Sequence, residues 1–309
     1  MTSETTAPVS PRRQLRALLA SPGIVAAPGG YDGITARTIE QAGFACAYMT
    51  GAGVSASRGF PDFGLLTLTE MAQAAGVMAQ SCGIPVIADA DTGYGNELNV
   101  TRTIREYERA GVAGCHIEDQ VAPKRCGHLD GKEVVSREEF IAKIRAAVAA
   151  RTDPDFLIIA RTDARAVLGF DEAIARANAA LAAGADMAFV EAAQDMDELA
   201  LIPRVVNGPC LLNIVRGGKT PDVGLDAAHA MGYRLAILPS LLIGAVVSAC
   251  DEALATLRQT RKPPVSASAV PVAERFRRWG ADEWNAIRTR FRDAPATAVS
   301  ASKTEVGVS

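Results

Sequence analysis

"ERAGVAGCHIED", residues 108–119, decides the fold of this chain: a helix-like end, a small residue and glycine, then a short apolar run that closes on two acids. Glycine just past a helix supplies a left-handed C-cap, and a brief continuous apolar run is what a strand covered on both faces looks like. The stretch is one helix-to-strand unit, and it recurs. "EQAGFACAYMTG" (40–51), "LAAGADMAFVEA" (181–192) and "HAMGYRLAILPS" (229–240) carry the same pattern. Four further strand candidates fit the alternation: "GIVAAP" (23–28), "IPVIADAD" (84–91), "FLIIARTD" (156–163) and "CLLNIV" (210–215).

Between the eight runs lie alanine-rich stretches with apolar residues at three- and four-residue spacing, such as Ser136 to Ala150, whose "SREE" start reads as a capping box. Eight strands alternating with helices over roughly 240 residues predict a single parallel (β/α)8 TIM barrel. A doubly wound open sheet is the alternative. Polar residues at the C-terminal strand ends favour the barrel, which gathers those ends around one site: Tyr48 with Thr50, Asp89 with Asp91, Glu118 with Asp119, Arg161 with Asp163, Glu191, and Asn213. Any one of these acids could instead cap the following helix. The barrel is expected over residues 13–260, between tails at 1–12 and 294–309 that are polar, small and expected to be mobile. Residues 261–293 read as a helical extension. Its Phe276, Trp279 and Trp284 need cover, which points to a partner subunit.

With 309 residues, 49% hydrophobic and 22% charged, the chain has the composition of a soluble globular protein. A net charge of -3 supplies no basic field, so neither nucleic acid nor anionic membrane is an expected partner. The polar start "MTSETTAPVSPRRQ" has no apolar signal core, and no apolar run reaches about 18 residues, so a cytoplasmic location is expected, where thiols stay reduced. Cysteines spread singly, without a CxxC pair, argue against a disulfide framework. Three histidines (His116, His128, His229) argue against a multi-histidine zinc site.

Five of the six cysteines stand in apolar surroundings. Cys126 stands in "PKRCGH" (123–128), among charges. Flanked by Lys124, Arg125 and His128, its thiol is expected to have a depressed pKa; the plainer reading is a surface thiol in an electropositive loop. Gly127 and Gly131 would give this loop the hinge freedom of a lid. Asp89 and Asp91 in "DADTGYG" are spaced two apart at a strand end, so their side chains are expected to point the same way. Paired carboxylates at a barrel mouth suit a hard cation such as Mg2+; a helix cap with a solvated neighbour is the alternative.

The set "TGAGVSASRGFPD", "DADTGYG", "HIEDQ", "PKRCGH", "ARTDA", "FVEA" and "NIVRGGKTP", in order along the chain, resembles the isocitrate lyase/phosphoenolpyruvate mutase superfamily, above all its 2-methylisocitrate lyase and 2,3-dimethylmalate lyase-like members. The resemblance implies a barrel that binds Mg2+, with Mn2+ able to substitute, and a small 2-hydroxy or 2-oxo carboxylate. It also implies a homotetramer, a dimer of dimers with a C-terminal helix exchanged between subunits. On the matching positions, Asp62, Asp89 and Asp91 would form the metal shell and Glu118 would hold a metal-bound water. Thr50, Gly51 and Ala52 would bind through backbone amides the carboxylate retained in the oxo-acid product, in a pocket slightly tighter than where serine and glycine replace Thr50 and Ala52. Cys126, Arg161, His128, Lys124 and Tyr48 would be the catalytic group, and Gly127, Glu191 and Asn213 would line the rest of the substrate site.

The implied reaction is Mg-dependent cleavage of a 2-hydroxy di- or tricarboxylate, of the 2-methylisocitrate or 2,3-dimethylmalate type, to pyruvate plus a carboxylate such as succinate or propionate. Cys126 would protonate the carbanion left on the departing fragment, so it must hold its proton at working pH. The alternatives are an oxaloacetate hydrolase or decarboxylase, a phosphonomutase-type member, and, more remotely, a barrel that only binds. The loop "GHLDGKEVV" is closer to dimethylmalate lyase and oxaloacetate hydrolase relatives, whereas "REEFIAKIRAAVAARTDPDFLIIARTDA" is closer to 2-methylisocitrate lyases. The clearest departure is Arg216, where the family commonly carries glutamate. Either it turns outward or pairs with an acid such as Glu191, or it contacts a distal substrate carboxylate.

Overall fold

The computed structural model describes residues 9–265 and 270–292. Along them run α1 (Pro11–Ala20), β1 (Val25–Gly30), α2 (Gly33–Gln41), β2 (Ala47–Met49), α3 (Gly51–Ser57), α4 (Leu68–Ser81), β3 (Val86–Asp89), α5 (Glu97–Ala110) and β4 (Gly114–Glu118). There follow α6 (Arg137–Ala150), β5 (Leu157–Thr162), α7 (Ala164–Val167), α8 (Phe170–Ala182), β6 (Met187–Val190), α9 (Met196–Val205), β7 (Leu211–Asn213), α10 (Leu225–Met231), β8 (Leu235–Leu238) and α11 (Leu241–Thr260). All eight expected strands form. They pair in parallel in the order β6-β5-β4-β3-β2-β1-β8-β7, and a parallel bridge between Ala188 and Cys210 joins β6 to β7. The ring is closed, which decides for the barrel over the open sheet. The glycines that opened the argument behave as expected: Gly111 and Gly232 cap α5 and α10 in the left-handed region, at φ 91° and 110°.

Alternation along each strand sorts its side chains into two cores. Leu157 and Ile159 of β5, Met187 and Phe189 of β6, Ile87 of β3 and Leu235 and Ile237 of β8 share the barrel interior. Their neighbours face the helices: Ile158 and Cys115 pack with α4 and α5, and Ala188 and Leu212 with α8 and α9. One position further along, the interior face turns from apolar to polar, giving Asp89, Glu118, Arg161, Glu191 and Asn213, all buried. The apolar layers form the floor on which those groups stand. The opposite end is plugged by α1, whose Leu15 joins the interior core.

Two boundaries differ from expectation. α1 begins at Pro11, inside the stretch expected to be a mobile tail, because Arg12 donates to Asp153 (2.8 Å) and to the Glu108 carbonyl (2.5 Å), and stacks over Phe156. At α6 the forward half of the expected capping box forms, Ser136 accepting from the Glu139 N–H at 3.1 Å, but Glu139 turns to Lys143 (3.7 Å) instead of back to the cap. Residues 1–8 and 293–309, with most of both expected tails, lie outside the described residues.

The chain divides into a unit through Leu254 and a second from Ala255. Within the second lie α12 (Val272–Arg278) and α13 (Ala281–Arg292). Phe276 and Trp279 pack ring to ring at 5.6 Å. Trp284 and Phe291 stand exposed. No described helix is long and apolar enough to cross a membrane.

Candidate active site

The polar ends of the interior strand faces surround a cavity of about 170 Å³. Of the residues expected at the site, Tyr48, Thr50, Ala52, Asp62, Asp89, Cys126, Gly127, His128, Arg161, Glu191 and Asn213 line it. Gly51 stands directly behind, its N–H donating to Asp89 Oδ2 at 3.2 Å. Glu118 lies beneath Arg161, with Oε2 3.2 Å from Arg161 Nε. Lys124 and Asp91 line an adjoining, larger cleft of about 580 Å³. The reactive groups converge on the smaller cavity. Arg216 does not join them: it is exposed, and Glu191 is engaged instead by Asn213 Nδ2 at 2.9 Å and by Arg161 at 3.4 Å.

Five acids, Asp62, Asp89, Asp91, Glu118 and Asp163, and two cations, Lys124 and Arg161, make up the floor. Lys124 Nζ lies 2.5 Å from Asp62 Oδ1 and 2.9 Å from Asp91 Oδ1. Arg161 donates to Asp163 through Nε at 2.9 Å and Nη2 at 3.2 Å and crosses the Phe189 ring at 5.0 Å. Burial by itself would raise Asp89, but His116, Lys124 and Arg161 hold it down at about 2. Burial carries Asp91 up to about 6 against the pull of Lys124, with Asp89 and Asp62 adding to the rise. Burial also holds Glu118 well above the usual carboxylate range. The expectation that Asp89 and Asp91 point the same way does not hold. β3 ends at Asp89, and Asp91 takes a left-handed φ of 46°, which turns its carboxylate toward Lys124. The amides of the small-residue loop are also partly spoken for: the Thr50 N–H donates to the Gly30 carbonyl at 3.0 Å.

The cysteine loop differs from its sequence reading in one respect that matters chemically. Lys124, two residues away, is buried into its two acids, and Arg125 lies over Phe63, so burial outweighs the pull that Lys124 and Arg161 still exert on the thiol. Burial raises the Cys126 pKa, where a depressed value was expected. The group is a protonated thiol held at the wall of the cavity. Beside it, the Lys219 backbone N–H donates to His128 Nδ1 at 3.1 Å, and His128 Nε2 lies 3.3 Å from Asn213 Nδ2 and 3.7 Å from Glu191 Oε1.

Some site residues escaped the sequence reading. His116 accompanies Glu118 on the interior face of β4; Tyr48 Oη lies 2.8 Å from its Nε2, the two rings stack, and burial lowers its pKa to about 4, leaving the ring neutral. Two-residue alternation back from Glu118 would have found it. Lys132, under the loop, also escaped the reading, whereas Asp163, read with Arg161 at the strand end, is found aiming that guanidinium. An apolar wall of Ala56, Val215, Ile237, Pro239 and Ile243 completes the cavity. It comes from three separate segments, so no motif announces it.

Among the described residues, no three His, Cys, Asp or Glu side chains converge tightly enough to enclose a metal by themselves. The donor set nevertheless fits a hard, largely hydrated cation. It is all oxygen, it contains Asp89 held ionised, and both Glu118 oxygens are buried with no hydrogen bond beyond the ion pair to Arg161, as in a group that awaits an ordered water.

Residues 15–258 match the family described as phosphoenolpyruvate phosphomutase. The chain belongs to this family, within the phosphoenolpyruvate mutase/isocitrate lyase superfamily. Among curated members it is 48% identical over 231 residues to 2,3-dimethylmalate lyase of Eubacterium barkeri, covering 74% of this chain and 80% of the relative. It is 43% identical over 240 residues to 2-methylisocitrate lyase of Aeropyrum pernix, covering 78% and 77%. Among solved superfamily structures, oxaloacetate acetylhydrolase in complex with 3,3-difluorooxalacetate superposes with a TM-score of 0.89 at 39% identity, covering 94% of this chain and 100% of that one. Phosphonopyruvate hydrolase, in complex with oxalate and Mg++, superposes at 0.82 and 32% identity, covering 92% and 100%.

Proposed function

We propose that the chain is a Mg2+-dependent carbon–carbon lyase that cleaves a 2-hydroxy dicarboxylate of the 2,3-dimethylmalate type to pyruvate and a short carboxylate. The observation that carries the reading is a protonated Cys126 at the wall of the same small cavity as Arg161 and the acid cluster. The lyase names of the two curated relatives support it.

In the reaction the substrate's 2-hydroxyl gives up its proton, which passes to solvent and balances the one that later restores the thiol, and the C2–C3 bond breaks. C2 becomes the carbonyl carbon of pyruvate, and the electron pair moves to C3, next to the departing carboxylate. Arg161, whose charge is secured against the opposing effect of burial by Asp163, Glu118 and Glu191, faces the negative charge on the C2 oxygen. Cys126 gives its proton to C3, which completes the carboxylate product, and the thiolate is reprotonated from solvent. Tyr48, whose pKa burial raises far above neutrality, stays a hydroxyl donor. His128 and the Asn213 amide line the side of the cavity that faces the departing carboxylate. Asp89, with Asp62, Asp91 and Glu118 around it, would hold Mg2+ or Mn2+, which as a Lewis acid would polarise the oxygens of the bound 2-hydroxy acid.

The apolar wall favours a substrate with alkyl branches, and the outward Arg216 offers no cation for a third carboxylate, so the dimethylmalate type is preferred to the methylisocitrate type. We further infer a cytoplasmic homotetramer whose C-terminal helix, rich in exposed aromatics, is exchanged between subunits. A Mg2+-dependent oxo-acid release assay, reading pyruvate from 2,3-dimethylmalate and 2-methylisocitrate, glyoxylate from isocitrate and oxalate from oxaloacetate, tests the reading. Product from the first in preference to the others is expected. Oxalate plus acetate from oxaloacetate, with no pyruvate from the rest, would move the assignment to hydrolysis, the reading favoured by the likeness to oxaloacetate acetylhydrolase.

A further inference from the structure

Lys132 sits between two exposed residues, Gly131 and Glu133, yet its own side chain is only 1% exposed. A lysine is not buried without compensation, since its ammonium loses water and must be paired. Here the ammonium donates in two directions. One hydrogen bond goes to the Gly127 carbonyl, in the middle of the Cys126–His128 run, and the other to Asp163 Oδ1 at 3.0 Å. Asp163 is the carboxylate that takes two hydrogen bonds from Arg161, and its backbone N–H is itself fixed by Asp119 Oδ1 at 2.8 Å. Lys132 thus connects the backbone of the thiol loop to the group that orients the guanidinium. The loop lies so deep that a Cβ on Gly127 would come within 2.7 Å of Glu191 Cγ.

Other ties meet the loop at its flanks: Gln120 exchanges two hydrogen bonds with the Arg125 backbone (2.8 and 3.0 Å) and the Lys219 N–H donates to His128 Nδ1 at 3.1 Å, but it is the Lys132 ammonium that holds the Gly127 carbonyl between them. The outer contact, Lys219 to Asp130, ends on a carboxylate whose side chain is 96% exposed, where ion pairs contribute little. Beneath the loop tip a cavity of about 270 Å³ lies between Leu129 and Ala166, so apolar packing does not duplicate the ammonium. We propose that Lys132 is a positioning residue that latches Cys126, Gly127 and His128 over the cavity and couples that latch, through Asp163, to the orientation of Arg161. The proposal rests on the reading of Cys126 as the proton donor only for its catalytic arm. The latch itself is read without turnover.

The test is amide hydrogen exchange of residues 126–131 in the intact protein, alongside steady-state kinetics on 2,3-dimethylmalate, for Lys132→Met. Loop exchange is expected to quicken at least ~10-fold while β4 and β5 keep wild-type protection. kcat is expected to fall at least ~30-fold with KM within ~3-fold, because the latch positions reacting groups rather than binding substrate. Asp130→Asn, which removes only the outer contact, is expected to change either quantity less than ~3-fold. Should Lys132→Met fail to fold, Lys132→Gln, which keeps a donor and loses the charge, carries the same expectations. Wild-type exchange in the loop of a folded variant would overturn the latch. So would equal acceleration through β4 and β5, the signature of a residue that only supports the fold, and so would a rise in KM with kcat unchanged. If wild-type protein forms no pyruvate while loop exchange quickens as expected, the functional reading fails and the latch stands.

Discussion

Gly127→Ala perturbs the lid with a single methyl. The added Cβ would stand 2.7 Å from Glu191 Cγ and 3.0 Å from Cδ, and closer still to the Arg161 guanidinium. Comfortable carbon contacts begin near ~3.5 Å, so something must move by the better part of an ångström. Neither neighbour yields easily, because Arg161 is fixed by Asp163 and Glu191 by Asn213. The loop must rise instead. Overpacking of this kind costs about 1–3 kcal/mol. Charged against loop closure, that corresponds to a loss of roughly 5- to 150-fold in kcat/KM. Since the closed loop is not part of the barrel core, the melting temperature is expected to move by less than about 2 °C. Pyruvate release coupled to lactate dehydrogenase reads the first quantity and circular dichroism the second. A kcat/KM within twofold of wild type would show that the loop does not need its observed depth, and the steric argument would fall with it.

Activity is expected to vanish on exhaustive chelation and to return with Mg2+ or Mn2+, and Asp89→Ala should not recover it at any metal concentration; full turnover after chelation would exclude the metal. Because burial raises the Cys126 pKa, the form that delivers the proton persists as pH rises, and activity is lost only as pH passes the folded-state value. The alkaline limb of kcat should therefore fall above the ordinary thiol range of about 8.5; a limb near 7 would mean that the loop cations act on the thiol after all. Arg216→Glu is expected to change kcat/KM for 2,3-dimethylmalate and for 2-methylisocitrate by less than ~3-fold, as an exposed side chain should; a selective tenfold loss on the tricarboxylate would place Arg216 at the substrate.

The barrel was legible because each strand carries its own layering: Leu157, Ile159 and Arg161 alternate with Ile158 and Ala160, so interior, helix face and site can be separated from periodicity alone. The same rule places Asp89, Glu191 and Asn213, and applied to Glu118 it yields His116. What resists such reading is the choice of partner in space. Lys124 is next but one to Cys126 in sequence, yet its charge is spent on Asp62 and Asp91, which arrive from other loops, one of them through a left-handed backbone that alternation cannot foresee. Lys132 looks like a solvated loop lysine until Gly127 and Asp163 are seen to enclose it. The apolar wall joins Ala56, Val215 and Ile243, far apart in the chain, and so leaves no local pattern.

The central claim is that Cys126 protonates the carbanion formed by carbon–carbon cleavage, and the direct measurement compares wild type with Cys126→Ser for pyruvate formed from 2,3-dimethylmalate in the presence of Mg2+. A serine hydroxyl matches the thiol in size but is a far weaker acid. The account predicts that wild type yields pyruvate and propionate in equal amounts while the serine protein turns over at least ~100-fold more slowly with KM within several-fold. Equal rates for the two proteins would contradict it.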